Sequence, residues 1–172
     1  GPSEVLIIAD ETSVPAFVAA DLLSQAEHGP DSQVILLSDN KIVLKEVNKE
    51  LEIQLEALPR KEFAAEALKN SKAILFNNIE ECVAFSNLYA PEHLILATET
   101  PVLTSKSVIN AGSVFLGNYS CESAGDYASG TNHTLPTNGF AKAYSGVSVD
   151  SFVKKITFQQ IDEEGIKNIG NA

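Results

Sequence analysis

The sequence predicts an α/β fold built on a parallel sheet with helices on both faces, and three observations point there. Short apolar runs recur, each closed by polar or turn residues: Val5-Leu6-Ile7-Ile8-Ala9, Val34-Ile35-Leu36-Leu37 and Ala73-Ile74-Leu75-Phe76. Between them lie longer stretches whose apolar residues repeat at helical spacing. The runs are continuous rather than alternating, as in strands buried on both faces. Strands of this kind alternating with helices form a doubly covered parallel sheet with right-handed crossovers. The predicted fold is therefore Rossmann-like but incomplete, followed by a long functional loop and a short C-terminal extension.

The elements follow in order. Val5–Ala9 is the first strand, ended by Asp10. Ser13 is placed to cap the next helix, with Pro15 in its first turn, where a missing N–H costs little. Val14, Phe17, Val18, Leu22 and Ala26 form its apolar stripe, His28 falls in its last turn, and Gly29-Pro30 stops it. After the second strand, Lys41–Leu58 is a long helix with Val43, Val47, Leu51 and Leu55 on one face, ended by Pro59. A shorter helix around Phe63–Leu68 leads to the third strand. Ile79–Leu88 is a helix turning Cys82, Val83 and Phe85 to the core.

After residue 90 the texture changes. His93–Ala97 and Ser113–Leu116 are further strands, and Gly117–Gly146 is a long stretch rich in Gly, Ser, Thr and Asn. A connection of that length in a compact domain is functional or disordered, and Asp126 and His133 within it favour function. The boundaries that follow are 1–146 for the α/β domain and 147–172 for the extension, the start of a tail domain. The last segment ends in Gly170-Asn171 without a clear stop.

Bulk properties narrow the function. A chain of 172 residues with 44% hydrophobic and 20% charged residues can bury one ordinary core. The net charge is −11, and the nearest thing to a basic cluster is Lys154-Lys155. Nucleic acid, which demands a basic footprint, is a poor partner for it, as is an anionic membrane. No apolar run reaches membrane-spanning length. Cys82 and Cys121 lack CxxC spacing and read as reduced thiols of a cytoplasmic protein. The dinucleotide fingerprint GxGxxG is missing after the first strand, so fold analogy alone assigns no nucleotide site. The chain contains no methionine, so it reads as a piece of a longer one.

All three histidines have polar neighbours. Gln25 and His28 are i and i+3 on one helix and project from one face. Glu92-His93 follows the helix-ending Pro91, at the kind of chain turn that carries function. Asp126 precedes His133 by seven residues. Each has an ordinary explanation: a cation at a helix C-terminus for His28, an incidental Glu-His pair, a turn-capping Asp. From the residues alone, a zinc site of His, Asp and an amide oxygen stands beside those readings as an alternative.

Five segments taken together resemble the histidinol dehydrogenase family. Gly1-Pro2-Ser3-Glu4 is similar to its GPSE segment, Asp21–His28 to DLLSQAEH, and Tyr89–Leu94 to Y-[AG]-PEHL. Ala111–Gly117 is similar to AGSVFLG, and Glu122–Pro136 (ESAGDYASGTNHTLP) to the long signature loop. The resemblance implies Gln25, His28 and Asp126 as zinc ligands and Glu92 and His93 as the acid–base pair. It implies Ser3, Gln25, His28, His93, Asp126 and His133 as substrate-binding residues. It further implies NAD-linked oxidation of L-histidinol to L-histidine through the aldehyde, by a homodimer, with the NAD contacts upstream and a fourth zinc ligand downstream. Such a portion is expected to be inactive alone. Cys121 departs from the family's usual proline; an innocent substitution is the expectation and a thiol on zinc the alternative. Other functional classes are a non-catalytic α/β ligand-binding module and a zinc hydrolase with Glu92 as base. The family reading requires the end of the first helix, the Pro-Glu-His corner and the Gly-Asp-Tyr loop to share one hollow.

Overall fold

A computed structural model of the chain describes residues 2–170. Gly1 of the opening motif and the last residues of the extension, Asn171 and Ala172, lie outside the described residues. Five parallel strands form one sheet: β1 (Glu4–Ala9), β2 (Gln33–Ser38), β3 (Lys72–Leu75), β4 (His93–Ala97) and β5 (Ser113–Leu116). Their spatial order is β3-β2-β1-β4-β5, the order of the doubly wound dinucleotide folds without their sixth strand. Register is set at the centre, where Glu4 pairs with Gln33 and Val5 with both Val34 and His93.

Period-two alternation divides the apolar strands between two cores. Val5, Ile7 and Ala9 face α1 (Pro15–Ala26), α2 (Lys41–Ala57) and α3 (Lys61–Lys69). Leu6 and Ile8 face Cys82 and Val83 of α4 (Ile79–Tyr89). Burial pushes the Cys82 thiol up to about 12, so this cysteine is packing rather than chemistry. A short α5 (Pro101–Thr104) precedes β5, and α6 (Glu122–Tyr127) interrupts the stretch that the sequence presents as a loop. The extension holds a 3₁₀ turn at Val149–Phe152 and α7 (Glu163–Ile169), with large apolar residues in water: Phe158 is 92% exposed and Phe152 82%. No helix among the described residues is long and apolar enough to cross a membrane.

Several expectations are corrected. Ser13 does not cap α1: Val14 stands at the cap position, and the buried Ser13 hydroxyl has no partner among the described residues. The Val14 N–H donates to Asn118 Oδ1 at 3.3 Å, from just beyond β5. Phe17 leaves the core and meets Tyr119, ring centroids 5.9 Å apart. Helix α1 ends at Ala26, so His28 lies beyond its cap residue Glu27 rather than in its last turn. The third strand lies at one edge of the sheet, so Lys72, Ala73 and Leu75 are exposed despite the apolar run; Phe76 falls just after it.

Candidate functional site

Strands β1 and β4 are neighbours and parallel, so their first residues, Glu4 and His93, lie at the same edge of the sheet, the amino edge. Helix α1 starts at the opposite, carboxyl edge and runs back, which delivers Gln25 to the amino edge. Sequence alone could not choose between the two edges. Helix α6 packs on the end of α1, where the Glu122 N–H donates to Asp21 Oδ1 at 3.2 Å and the Ser24 hydroxyl donates to Glu122 Oε2 at 2.5 Å.

His93 is where these elements meet, and it is 3% exposed. Its Nδ1 lies 3.1 Å from the Glu4 carbonyl and 3.3 Å from Gln25 Nε2. A carbonyl only accepts, so the shorter contact puts the proton of the neutral ring on Nδ1. Nε2 is then the free base, 3.7 Å from Asp126 Oδ1. Gln25, 1% exposed, packs its amide beside the His93 ring and accepts at Oε1 from His28 Nδ1 at 3.0 Å. His28 itself stands exposed. The helix end, the Pro-Glu-His corner and α6 thus come within contact distance of one another through one imidazole.

Four carboxylates surround that imidazole. Glu92 Oε2 accepts the Glu4 N–H at 2.9 Å and lies 3.7 Å from His93 Nδ1. Burial raises the Glu92 carboxyl above its ordinary range, against the Glu4 N–H and His93, which hold it down; the carboxylates of Glu4 and Asp126 push it up further. Glu4 and Glu122 were not singled out by sequence reasoning. Burial raises both, opposed at Glu4 first by the Asn138 N–H and at Glu122 first by the Ser24 hydroxyl. Among the described residues Glu4 Oε2 and Glu122 Oε1 are buried without a hydrogen-bond partner, and such an atom calls for an explanation. Among the described residues no lysine or arginine forms an ion pair with any of the four.

Two glycines allow the close packing. A Cβ on Gly112 would sit 2.5 Å from the Glu92 carbonyl oxygen, where the corner and β5 are zipped by Gly112 N to Pro91 O and Ser113 N to Glu92 O, both 2.9 Å. A Cβ on Gly125 would meet the Phe115 ring at 2.6 Å. That ring lies 6.0 Å, centroid to centroid, from the His93 ring. The corner itself turns through Ala90 in the left-handed region (φ 60°), which closes α4.

His93, Glu122 and Asp126 each offer one ligand atom, and these atoms lie within 4.8 Å of one another, a donor set of imidazole and carboxylates suited to a divalent metal. His28 lies outside that cluster, joined to it by Gln25. Cys121 lies outside it too, its sulfur 3.7 Å from Ser123 Oγ. Ser3 is half-buried beside Glu4, its carbonyl accepting the Gln33 N–H. His133 is exposed in the stretch after α6, and no hydrogen bond or ion pair among the described residues joins it to the group.

The fold and site define a class: a parallel α/β domain in doubly wound strand order whose polar centre lies at the amino edge of the sheet. The sequence model of histidinol dehydrogenase matches residues 1–172, and the chain belongs to that family of oxidoreductases. It is 60% identical to histidinol dehydrogenase of Bacteroides thetaiotaomicron over 172 residues, all of this chain and 40% of that one. It is 53% identical to the chloroplastic histidinol dehydrogenase of Arabidopsis thaliana, over 99% of this chain and 37% of that one. The crystal structure of histidinol dehydrogenase from Elizabethkingia anophelis matches with a TM-score of 0.96 and 64% identity, over 99% of this chain and 40% of that one. The chain thus spans about 40% of the length of these relatives.

Proposed function

We propose that this chain supplies the zinc and acid–base portion of an NAD-linked enzyme of histidine biosynthesis that oxidises L-histidinol to L-histidine through the aldehyde. The observation that supports this reading is the buried His93, whose Nε2 faces Asp126 while the Glu4 carbonyl lies against its Nδ1. Gln25, His28 and Asp126 hold the zinc in this reading. Of these three, Asp126 lies in the cluster with His93 and Glu122, and Gln25 joins His28 to it; the uncompensated carboxylates and the orphaned Glu122 oxygen there support a cation at that spot. Bound zinc supplies Lewis acidity and an anchor for the amino and imidazole nitrogens of the substrate.

The chain's own groups do the rest. His93 accepts the alcohol proton through Nε2, the ring nitrogen turned away from the Glu4 carbonyl and toward Asp126. Glu92, raised by burial, activates the water that adds to the aldehyde before the second hydride leaves. Ser3, Gln25, His28, His93, Asp126 and His133 contact the substrate. NAD contacts and a homodimer partner belong to parts of the protein beyond these residues. Residues 147–172 are read as the start of a separate tail domain, a reading supported by their exposed Phe152, Ile156 and Phe158. Free Cys82 and Cys121 accord with a cytoplasmic setting.

The test is an assay of the full-length protein with L-histidinol and NAD⁺. Two equivalents of NAD⁺ are reduced per histidinol. His93→Asn lowers turnover by about 10²–10⁴-fold, and Glu92→Gln stops the sequence at the aldehyde. Zinc-loaded protein that hydrolyses an ester or amide without NAD⁺, or binds histidinol without turnover, would replace this reading with a hydrolase or a binding module.

A further inference from the structure

Glu122 has no role in the chemistry above, yet it is the most deeply buried carboxylate of the site, at 1% exposure. Its Oε2 accepts from Ser24, its backbone N–H is held by Asp21, and its Oε1 is shut away without a partner. It stands one helical turn before Asp126, so the two carboxylates project from the same face of α6. A carboxylate oxygen of each lies within 4.8 Å of the other and of a His93 ring nitrogen. The Asp126 side chain is 17% exposed. A cation arriving from solvent therefore meets Asp126 first, with Glu122 behind it.

We propose that Glu122 is a positioning residue of the cation site: a second, inner negative charge, locked by Ser24, that draws a divalent cation to Asp126 and tightens the hold on it without ligating it. The physical reason is that a buried anion without a counter-charge is costly, and two side by side are worse. Among the described residues, the place where a cation would offset both charges is beside Asp126, where Glu122 and a His93 ring nitrogen also converge. Removing the Glu122 charge relieves the empty site and weakens the filled one. A residue that served only to pack α6 on α1 would destabilise both states. This inference rests on the reading of the site as a zinc site.

The experiment is done on the full-length protein with zinc as the probe, measured by chelator competition and by the thermal midpoint of the metal-free and zinc-loaded forms. Glu122→Gln lowers zinc affinity by about 10–100-fold, the range for outer-shell partners of a metal. Its metal-free midpoint holds or rises, and its zinc-induced shift shrinks. Glu122→Asp recovers part of the affinity, and Ser24→Ala, which frees Oε2, loses a smaller share of it. The visible spectrum of the cobalt-substituted protein keeps its shape in Glu122→Gln. Unchanged zinc affinity in Glu122→Gln, or a cobalt spectrum of new shape that makes Glu122 a ligand, overturns the inference. Should Glu122→Gln fail to fold, Ser24→Ala with wild-type zinc affinity overturns it as well. Absence of zinc binding by the unaltered protein would instead remove the underlying reading of the site.

Discussion

The two edges of the sheet differ in what they leave unsatisfied. Doubly wound sheets as a rule bind their ligands outside the carboxyl ends of the strands, at the point where the strand order reverses. Here that point lies between β1 and β4, and the chain ties it up with its own groups. Asp10 Oδ1 accepts from Thr12 and Oδ2 from the Glu99 N–H at 2.7 Å, while Asn118 bridges the Val14 N–H and the Thr12 carbonyl. What remains unpartnered there among the described residues are two hydroxyls, Ser13 and Thr98. The amino edge leaves carboxylate oxygens, on Glu4 and Glu122, and a buried unpaired anion costs far more than a buried hydroxyl. A fold does not fix where its site lies; the costliest unmet requirement is the better guide. The contrast yields predictions of decreasing size.

The largest effect is expected from Gly112→Ala. The new Cβ would fall 2.5 Å from a backbone oxygen, that of Glu92, with Leu135 at 3.1 Å on its other side, so the Pro-Glu-His corner itself must shift. Overpacking of this kind costs about 3 kcal/mol. Histidinol turnover of the full-length variant should fall by far more than its denaturant midpoint, because the displaced residues are Glu92 and His93. A variant as stable and active as the wild type would mean that the amino edge tolerates slack.

Next comes Asp21, buried beneath α6, whose pKa burial raises from 3.8 to about 6, against the Glu122 N–H that it accepts. The folded state thus holds this proton more tightly than the unfolded chain. Its contribution to stability is full below pH ~4 and is lost as pH rises through about 6. At neutral pH the ionised group costs on the order of 2–3 kcal/mol. Asp21→Asn keeps an oxygen for the Glu122 N–H and removes the charge. It should stabilise the protein by about that amount at pH 7 and by little at pH 4, as urea titrations at the two pH values would show. Equal gains at both would place the benefit in packing.

How much of this was legible in the sequence divides along the same line. The central strands β1 and β2 announce themselves because both faces are sealed, which demands an unbroken apolar run. β3 carries such a run but lies at the rim, and nothing local distinguishes rim from centre. The helix stripes of α2 read correctly, whereas Ser13 and Phe17 did not: α1 starts one residue later than expected, with Val14 at the cap position, and Phe17 turns to Tyr119. Of the site, Gln25, Glu92, His93 and Asp126 were reachable only through motif strings; their spacing alone was ambiguous. Glu4 and Glu122 were invisible, since a glutamate beside a helix or strand start ordinarily faces water. The faint signals were Glu4 opening an otherwise apolar strand and Glu122 standing four residues before Asp126.

At the carboxyl edge the effects should be confined to stability. Asp10→Ala removes acceptors for Thr12 and for the Glu99 N–H, at part-exposed positions, and should cost about 1–2 kcal/mol. Zinc affinity should not change, because no group of the cation cluster is touched. A loss of zinc affinity would show the two edges to be coupled through β1.

The smallest effect, and the sharpest for the comparison, is expected from Asn118→Ala. The variant uncovers the Val14 N–H at the start of α1, the position where doubly wound dinucleotide folds hold a pyrophosphate. A solvent-accessible N–H finds water, so the loss should be about 0.5–1 kcal/mol. If the cofactor of the full-length protein binds away from this edge, its KM for NAD⁺ and for histidinol should both match the wild type. A change in the NAD⁺ KM, with the histidinol KM unaltered, would put the cofactor at the start of α1. Asn118 would then be a contact that the nucleotide displaces or uses, and the division of labour between the two edges would have to be redrawn, with metal at one and nucleotide at the other of the same small sheet.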